Sequence, residues 1–127
     1  MDQEKKTVAV VGASADRGKF GNMCVRAYKD AGWEVYPVNP NRTMVEELVS
    51  YPRLSEVPVE LDRISIYLPP AKTRQLVGEI AAKGADDVWF NPGSANDEIL
   101  EEARQAGLTV RKGCSITYIG KSPAQYM

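Results

Sequence analysis

With 127 residues, an apolar fraction of 43% and a net charge of −1, the chain can bury one core and has no bulk electrostatic reason to meet nucleic acid or a membrane surface. It contains no histidine, which removes Ser-His and Cys-His nucleophile pairs, imidazole metal ligands and phosphohistidine chemistry together. Cys24 and Cys114 stand in no metal-ligand spacing, no apolar run approaches the roughly 18 residues of a membrane span, and the charged start MDQEKK has no apolar leader. The expectation is one cytoplasmic domain over residues 1–127 with reduced thiols and no bound metal.

Thr7–Val11 is an apolar, largely β-branched run of the kind that forms a strand covered on both faces. It stops at Gly12, passes through Ala13, Ser14 and Ala15, and meets Gly18 and Gly21 before a helical repeat of Phe20, Met23, Cys24, Ala27, Tyr28 and Ala31. Gly32 ends that helix, and Trp33–Val38 reads as the second strand, with Pro37 placing its end there or near a sheet edge. The turn Asn39-Pro40-Asn41-Arg42 follows directly. Residues 44–54 fit either a helical turn or a short strand, and 53–57 a short helix or turn.

Arg63–Leu68 is the third strand; Pro69-Pro70 stops it, with Pro70 suited to the first position of a helix over residues 71–83. Asp87–Asn91 is the fourth strand, with Trp89 read as core. Ser94 with Asp97 has the spacing of a helix start, and Leu108–Arg111 is the fifth strand. Cys114–Ile119 is a last strand or a covering segment, and Lys121 opens a tail or short helix. Three joints, at Gly32, Gly84 and Gly107, repeat one pattern of helix end, glycine and strand. Alternating β and α elements predict an α/β, Rossmann-like three-layer sandwich around a parallel sheet of about five strands.

Such a sheet binds ligands beyond the carboxyl ends of its strands, where the strand order reverses. That rule selects Gly12, Ala13, Ser14, Ala15, Asp16 and Arg17 after the first strand, and Asn39, Pro40, Asn41 and Arg42 after the second. It also selects Leu68, Pro69 and Pro70 after the third, and Asn91, Pro92, Gly93 and Ser94 after the fourth. A glycine turn that opens a helix leaves free N–H groups for a phosphate, and Lys19 beside it adds charge. Gly12 is needed for the turn whether or not anything binds. Ser14 stands where a dinucleotide fingerprint has its second glycine, and Asn39 where an acidic residue would hold a ribose hydroxyl, so NAD is disfavoured. Arg42 suits an extra ribose phosphate, which leaves NADP and coenzyme A (CoA) open.

The segments VAVVGASADRGKFGN, VYPVNPN, ISIYLPP and VWFNPGS together resemble the stand-alone CoA-binding domain family. That domain is similar to the N-terminal domain of the succinyl-CoA synthetase alpha subunit and of ADP-forming acyl-CoA synthetases. The resemblance runs from Thr7 to Ile119. It implies CoA or an acyl-CoA held by Ser14, Ala15, Asp16 and Arg17 with Lys19 close by, by Asn39, Pro40 and Arg42, and by Leu68, Pro69 and Pro70. It departs from the family in lacking a glycine between Asn41 and Tyr51. The ligases' second domain and phosphorylated histidine are absent from it as well. The resulting expectation is a non-catalytic CoA-binding module with an unidentified protein partner; the alternatives are a small NADP-dependent oxidoreductase and thiol chemistry at Cys114.

Overall fold

The computed structural model describes residues 5–127; the first four residues of the charged start lie outside them. Strand β1 (Thr7–Val11) leads into helix α1 (Phe20–Asp30) and strand β2 (Glu34–Val38). A small hairpin of β3 (Met44–Val45) and β4 (Leu48–Val49) follows, then a single 3-10 turn over Leu54–Glu56. The chain continues through β5 (Arg63–Ile66), α2 (Pro70–Lys83), β6 (Asp87–Phe90), α3 (Asp97–Gln105) and β7 (Val110–Lys112). A short helix α4 (Ser115–Tyr118) and a 3-10 turn (Pro123–Tyr126) close it. No helix among the described residues is long and apolar enough to cross a membrane.

The main sheet is parallel, in the order β2-β1-β5-β6-β7. Successive side chains of a strand point to opposite faces, and β1 divides its residues accordingly. Val8 and Val10 pack with Met23, Cys24, Ala27 and Tyr28 of α1 and Ile116 of α4. Ala9 and Val11 join Ile64, Ile66, Val88 and Phe90 beneath Ile80 of α2 and Leu100 and Ala103 of α3. Both faces are therefore dry, which is why β1 reads as a continuous apolar run. β2 is an edge strand and runs through Pro37, which pairs with Val10. Trp89 is buried.

The structure decides two stretches that the sequence leaves open and moves one helix start. The ambiguous stretch after Arg42 is the β3–β4 hairpin, whose turn residues Glu46 and Glu47 both have positive φ, 48° and 67°. Hairpin turns of that geometry usually carry Asn or Gly, so the sequence holds no turn signal there. Helix α3 is capped by Asn96, whose side chain accepts from the Ile99 amide at 2.9 Å. Ser94 instead donates to the Asn91 carbonyl at 2.7 Å and belongs to the turn before the cap. Residues 115–118 form a helix, covering the α1 face of the sheet, and not a strand.

Side-chain bonds hold the hairpin to α1. Arg17 pairs with Glu46 at 3.2 Å, Asn22 donates to the same carboxylate at 3.0 Å, and Lys29 donates to the Glu46 carbonyl at 3.0 Å. The Asn22 hydrogen bond, with Arg17 behind it, holds the Glu46 carboxyl below its ordinary 4.5 against partial burial. A carboxyl more acidic in the folded than in the unfolded chain stabilises fully above the unfolded value, and the contribution is lost as pH falls through the folded one. Glu46→Gln is expected to cost about 1 kcal/mol at pH 7. Urea denaturation should show the gap between variant and wild type closing below about pH 4.

Candidate functional site

Strand order reverses between β1 and β5, since β2 lies on one side of β1 and β5 on the other. A cleft of about 700 Å³ opens there, at the carboxyl ends of β1, β2 and β5. Val11, Val38, Leu54, Leu68, Leu76 and Ile80 contribute apolar lining, while Ser14, Lys19, Asn39, Asn41, Arg53, Lys72, Gln75 and Glu79 supply polar groups. A second depression of about 620 Å³ lies at the opposite end of the sheet, between the segment leading into β5 and the one leading into β6. Its Lys83 is occupied, donating to the Val57 carbonyl at 2.5 Å.

Two glycines set the geometry beneath the cleft. Gly12 has φ +90°, and a Cβ added there would lie 2.3 Å from the Tyr67 carbonyl oxygen. Gly21, in the first turn of α1, faces Gly12 so closely that a Cβ would lie 2.2 Å from the Gly12 carbonyl oxygen. These contacts bring the start of α1 directly onto the end of β1. No side chain caps the N-terminus of α1 and no acidic residue stands in its first turn, which Lys19 precedes; the Asp16 carboxylate stands close by, on the Gly18 amide.

The loop between them is held by its own side chains. Ser14 Oγ accepts from the Asp16 amide at 3.0 Å, and Asp16 Oδ1 accepts from the Gly18 amide at 2.9 Å. Asn22 donates to the Ser14 carbonyl at 2.8 Å, and Arg26 donates to Asn22 Oδ1 at 2.7 Å and to the Arg17 carbonyl at 2.9 Å. Asn39 joins the second strand end to the first loop, donating from Nδ2 to the Ala13 carbonyl at 2.7 Å while its Oδ1 accepts from the Asn41 amide. An aspartate at position 39 would set a carboxylate against that carbonyl, so the asparagine has a structural reason to be there.

Of the residues singled out from the sequence, Gly12, Ala13, Ser14, Lys19, Asn39, Pro40, Asn41 and Leu68 line the cleft. Ala15, Asp16, Arg17, Arg42, Pro69 and Pro70 do not; Asp16 shapes the loop and Arg17 turns away to Glu46. Asn91 and Ser94, also at a strand end, are buried. Asn91 donates to Ser65 Oγ at 2.9 Å and accepts from the Ser115 amide at 2.9 Å, tying β5, β6 and α4 together.

The cleft also takes in Arg53, Lys72, Gln75 and Glu79, which the strand-end rule does not select. Lys72 sits one and two turns before Leu76 and Ile80 on the same helical stripe, a spacing that does place it at the cleft. Arg53 had no such signal. It reaches the cleft because Tyr51 bridges Val38, accepting from the Asn39 amide and donating to the Pro37 carbonyl, both at 2.9 Å. Tyr67 also borders the cleft, but its buried hydroxyl lies against Cys24 and Ser115 on the α1 face; burial pushes its pKa up. Burial likewise pushes the Cys24 thiol up to about 11, and neither cysteine lines the cleft.

A family model described as a CoA binding domain matches residues 6–119. An ADP-forming acetate–CoA ligase II from Archaeoglobus fulgidus is 40% identical over 117 residues, a match covering 83% of this chain and 17% of the ligase. A conserved hypothetical protein from Pyrococcus furiosus superposes with a TM-score of 0.81 at 32% identity, covering 91% of this chain and 99% of that one. The apo form of a dinucleotide-forming acetyl-coenzyme A synthetase 1 from Ca. Korarchaeum cryptofilum superposes at 0.74 with 28% identity, over 83% of this chain and 25% of the synthetase.

Proposed function

The chain belongs to the CoA-binding domain family, and from that premise we propose that it binds CoA or an acyl-CoA in the cleft between the ends of β1 and β5 and performs no chemistry on it. One observation carries the reading. The uncapped start of α1 is seated on the end of β1 by the Gly12–Gly21 contact, with Lys19 at its mouth. Amides fixed before the ligand arrives bind a diphosphate without a reorganisation cost. The apolar lining beside them suits the pantetheine arm or the adenine.

Several features support binding without turnover. The sequence has no histidine. The Tyr67 phenol is pushed further from neutral titration, and both thiols lie outside the cleft lining. The names of the similar ligase and synthetase carry CoA chemistry, but this chain spans 17% and 25% of their lengths. The similar hypothetical protein from Pyrococcus furiosus has the size of this chain alone. Neither of the two named enzymes is an oxidoreductase.

Native mass spectrometry of the purified protein tests the proposal. The expected spectrum contains a species heavier by one CoA or acyl-CoA, or acquires one on addition of CoA. A spectrum that holds only the bare chain after incubation with excess CoA would refute it.

A further inference from the structure

We infer that Arg53 and Lys72 form a second anion subsite that reads the ribose 3′-phosphate of CoA, separate from the first loop that takes the diphosphate. The inference rests on the CoA reading above. Lys19, Arg53 and Lys72 all line the cleft, and none of them has a carboxylate partner among the ion pairs of the described residues. Four of the other arginines are paired: Arg17 with Glu46, Arg63 with Asp87, Arg74 with Glu98 and Glu102, and Arg104 with Glu101. Arg26, Arg42 and Arg111 have no ion pair among the described residues. Leaving cations unpaired in a cleft suits a ligand that brings its own negative charge. Glu79 is the carboxylate that shares the lining, two turns along α2 from Lys72.

Position decides which phosphate Arg53 meets. In dinucleotide-binding sheets of this architecture the adenosine ribose lies by the end of the second strand, where an arginine accommodates the ribose 2′-phosphate of NADP; the 3′-phosphate of CoA stands on the neighbouring carbon of the same sugar. Here that strand end is Asn39, and its amide is bonded to the Tyr51 carbonyl two residues before Arg53. Arg53 begins the 3-10 turn, with its carbonyl accepting from the Glu56 amide at 3.1 Å, so its backbone is held and its side chain is exposed. Lys72 stands on the first turn of α2 and lines the same cleft. Arg42, also near the second strand end, lies outside that lining.

Calorimetric titration of wild type and Arg53→Ala with CoA and with dephospho-CoA, which lacks only the 3′-phosphate, separates the possibilities. Arg53→Ala is expected to weaken CoA more than tenfold and to leave dephospho-CoA within twofold. Lys72→Ala should shift in the same direction, and Arg53→Lys should recover part of the loss. Equal losses for both ligands, or no loss for either, would overturn the subsite while the CoA reading stands. Wild type binding neither ligand would overturn both.

Discussion

Gly12→Ala is expected to destabilise the fold by about 4 kcal/mol, the sum of a left-handed backbone that alanine resists and a collision with rigid backbone. The added methyl would lie 2.3 Å from the Tyr67 carbonyl oxygen, at a residue whose φ is +90°. Neither partner is a flexible side-chain end, so relief requires β1 and β5 to move apart at the point where the cleft opens. Gly21→Ala meets the other side of the same junction, 2.2 Å from the Gly12 carbonyl oxygen, and is expected to cost about 3 kcal/mol. For a chain of this size each variant should melt about 10 °C or more below wild type. Gly78→Ala is the control, because its site on α2 has open space around the added carbon and no positive φ; it should gain up to about 1 kcal/mol. Thermal unfolding of the three variants checks the ordering, and equal melting of Gly12→Ala and Gly78→Ala would refute the close-approach argument.

The second large effect lies on the α1 face of the sheet. Arg63, 8% exposed, opens β5 and is bound in a fork by Asp87 at the start of β6, with Nε to Oδ1 at 2.8 Å and Nη2 to Oδ2 at 3.0 Å. Trp33, Trp89 and Tyr118 surround the guanidinium at 5.0, 5.5 and 5.3 Å, and Nη1 donates to the Tyr28 hydroxyl at 3.3 Å. Burial works against the charge, yet Asp87 and Tyr28 outweigh it and hold the group above the ordinary arginine range. Asp87→Ala therefore strands a cation that will not neutralise, at a cost of about 3 kcal/mol. Arg63→Met should cost less, because it removes the charge and leaves Asp87 to the solvent its partial exposure allows. Urea denaturation of the two variants tests the asymmetry. If Arg63→Met is the more damaging, the packing of the arginine stem outweighs its charge.

The two variant sets also show what the sequence could disclose. β1 is readable because a strand buried on both faces is apolar throughout, and the returns at Gly32, Gly84 and Gly107 mark the starts of β2, β6 and β7. β5 shows through its Ile64 and Ile66 and the Pro69-Pro70 stop, although it carries Arg63 and Ser65. Gly12 and Gly21 were visible as glycines, but their mutual contact depends on how α1 crosses β1. The β3–β4 hairpin is legible only as one of two alternatives: its strands have two residues each, and its turn is built from two glutamates with left-handed backbones, of which Glu46 is held by Asn22 and Lys29 of α1. Arg53 stayed hidden for the same reason, since only the Tyr51–Asn39 pairing across the hairpin brings it to the strand ends. The sequence presents Asp16 and Arg17 as part of one row of loop residues after the first strand. Folded, Asp16 holds the loop's own turn and Arg17 ties the loop to Glu46 of the hairpin. The strand-end rule located the cleft, while the division of labour within it arose from hydrogen bonds between distant segments.

Amide-resolved NMR during titration of the intact chain with CoA tests the central claim most directly, because the sheet offers two depressions at opposite ends. The predicted result is saturable shifts gathered at Gly12–Lys19, at Asn39–Asn41 with Arg53, and at Leu68–Glu79. No shifts at saturating CoA, or shifts centred on Val57–Leu61 and Lys83–Asp86, would contradict it.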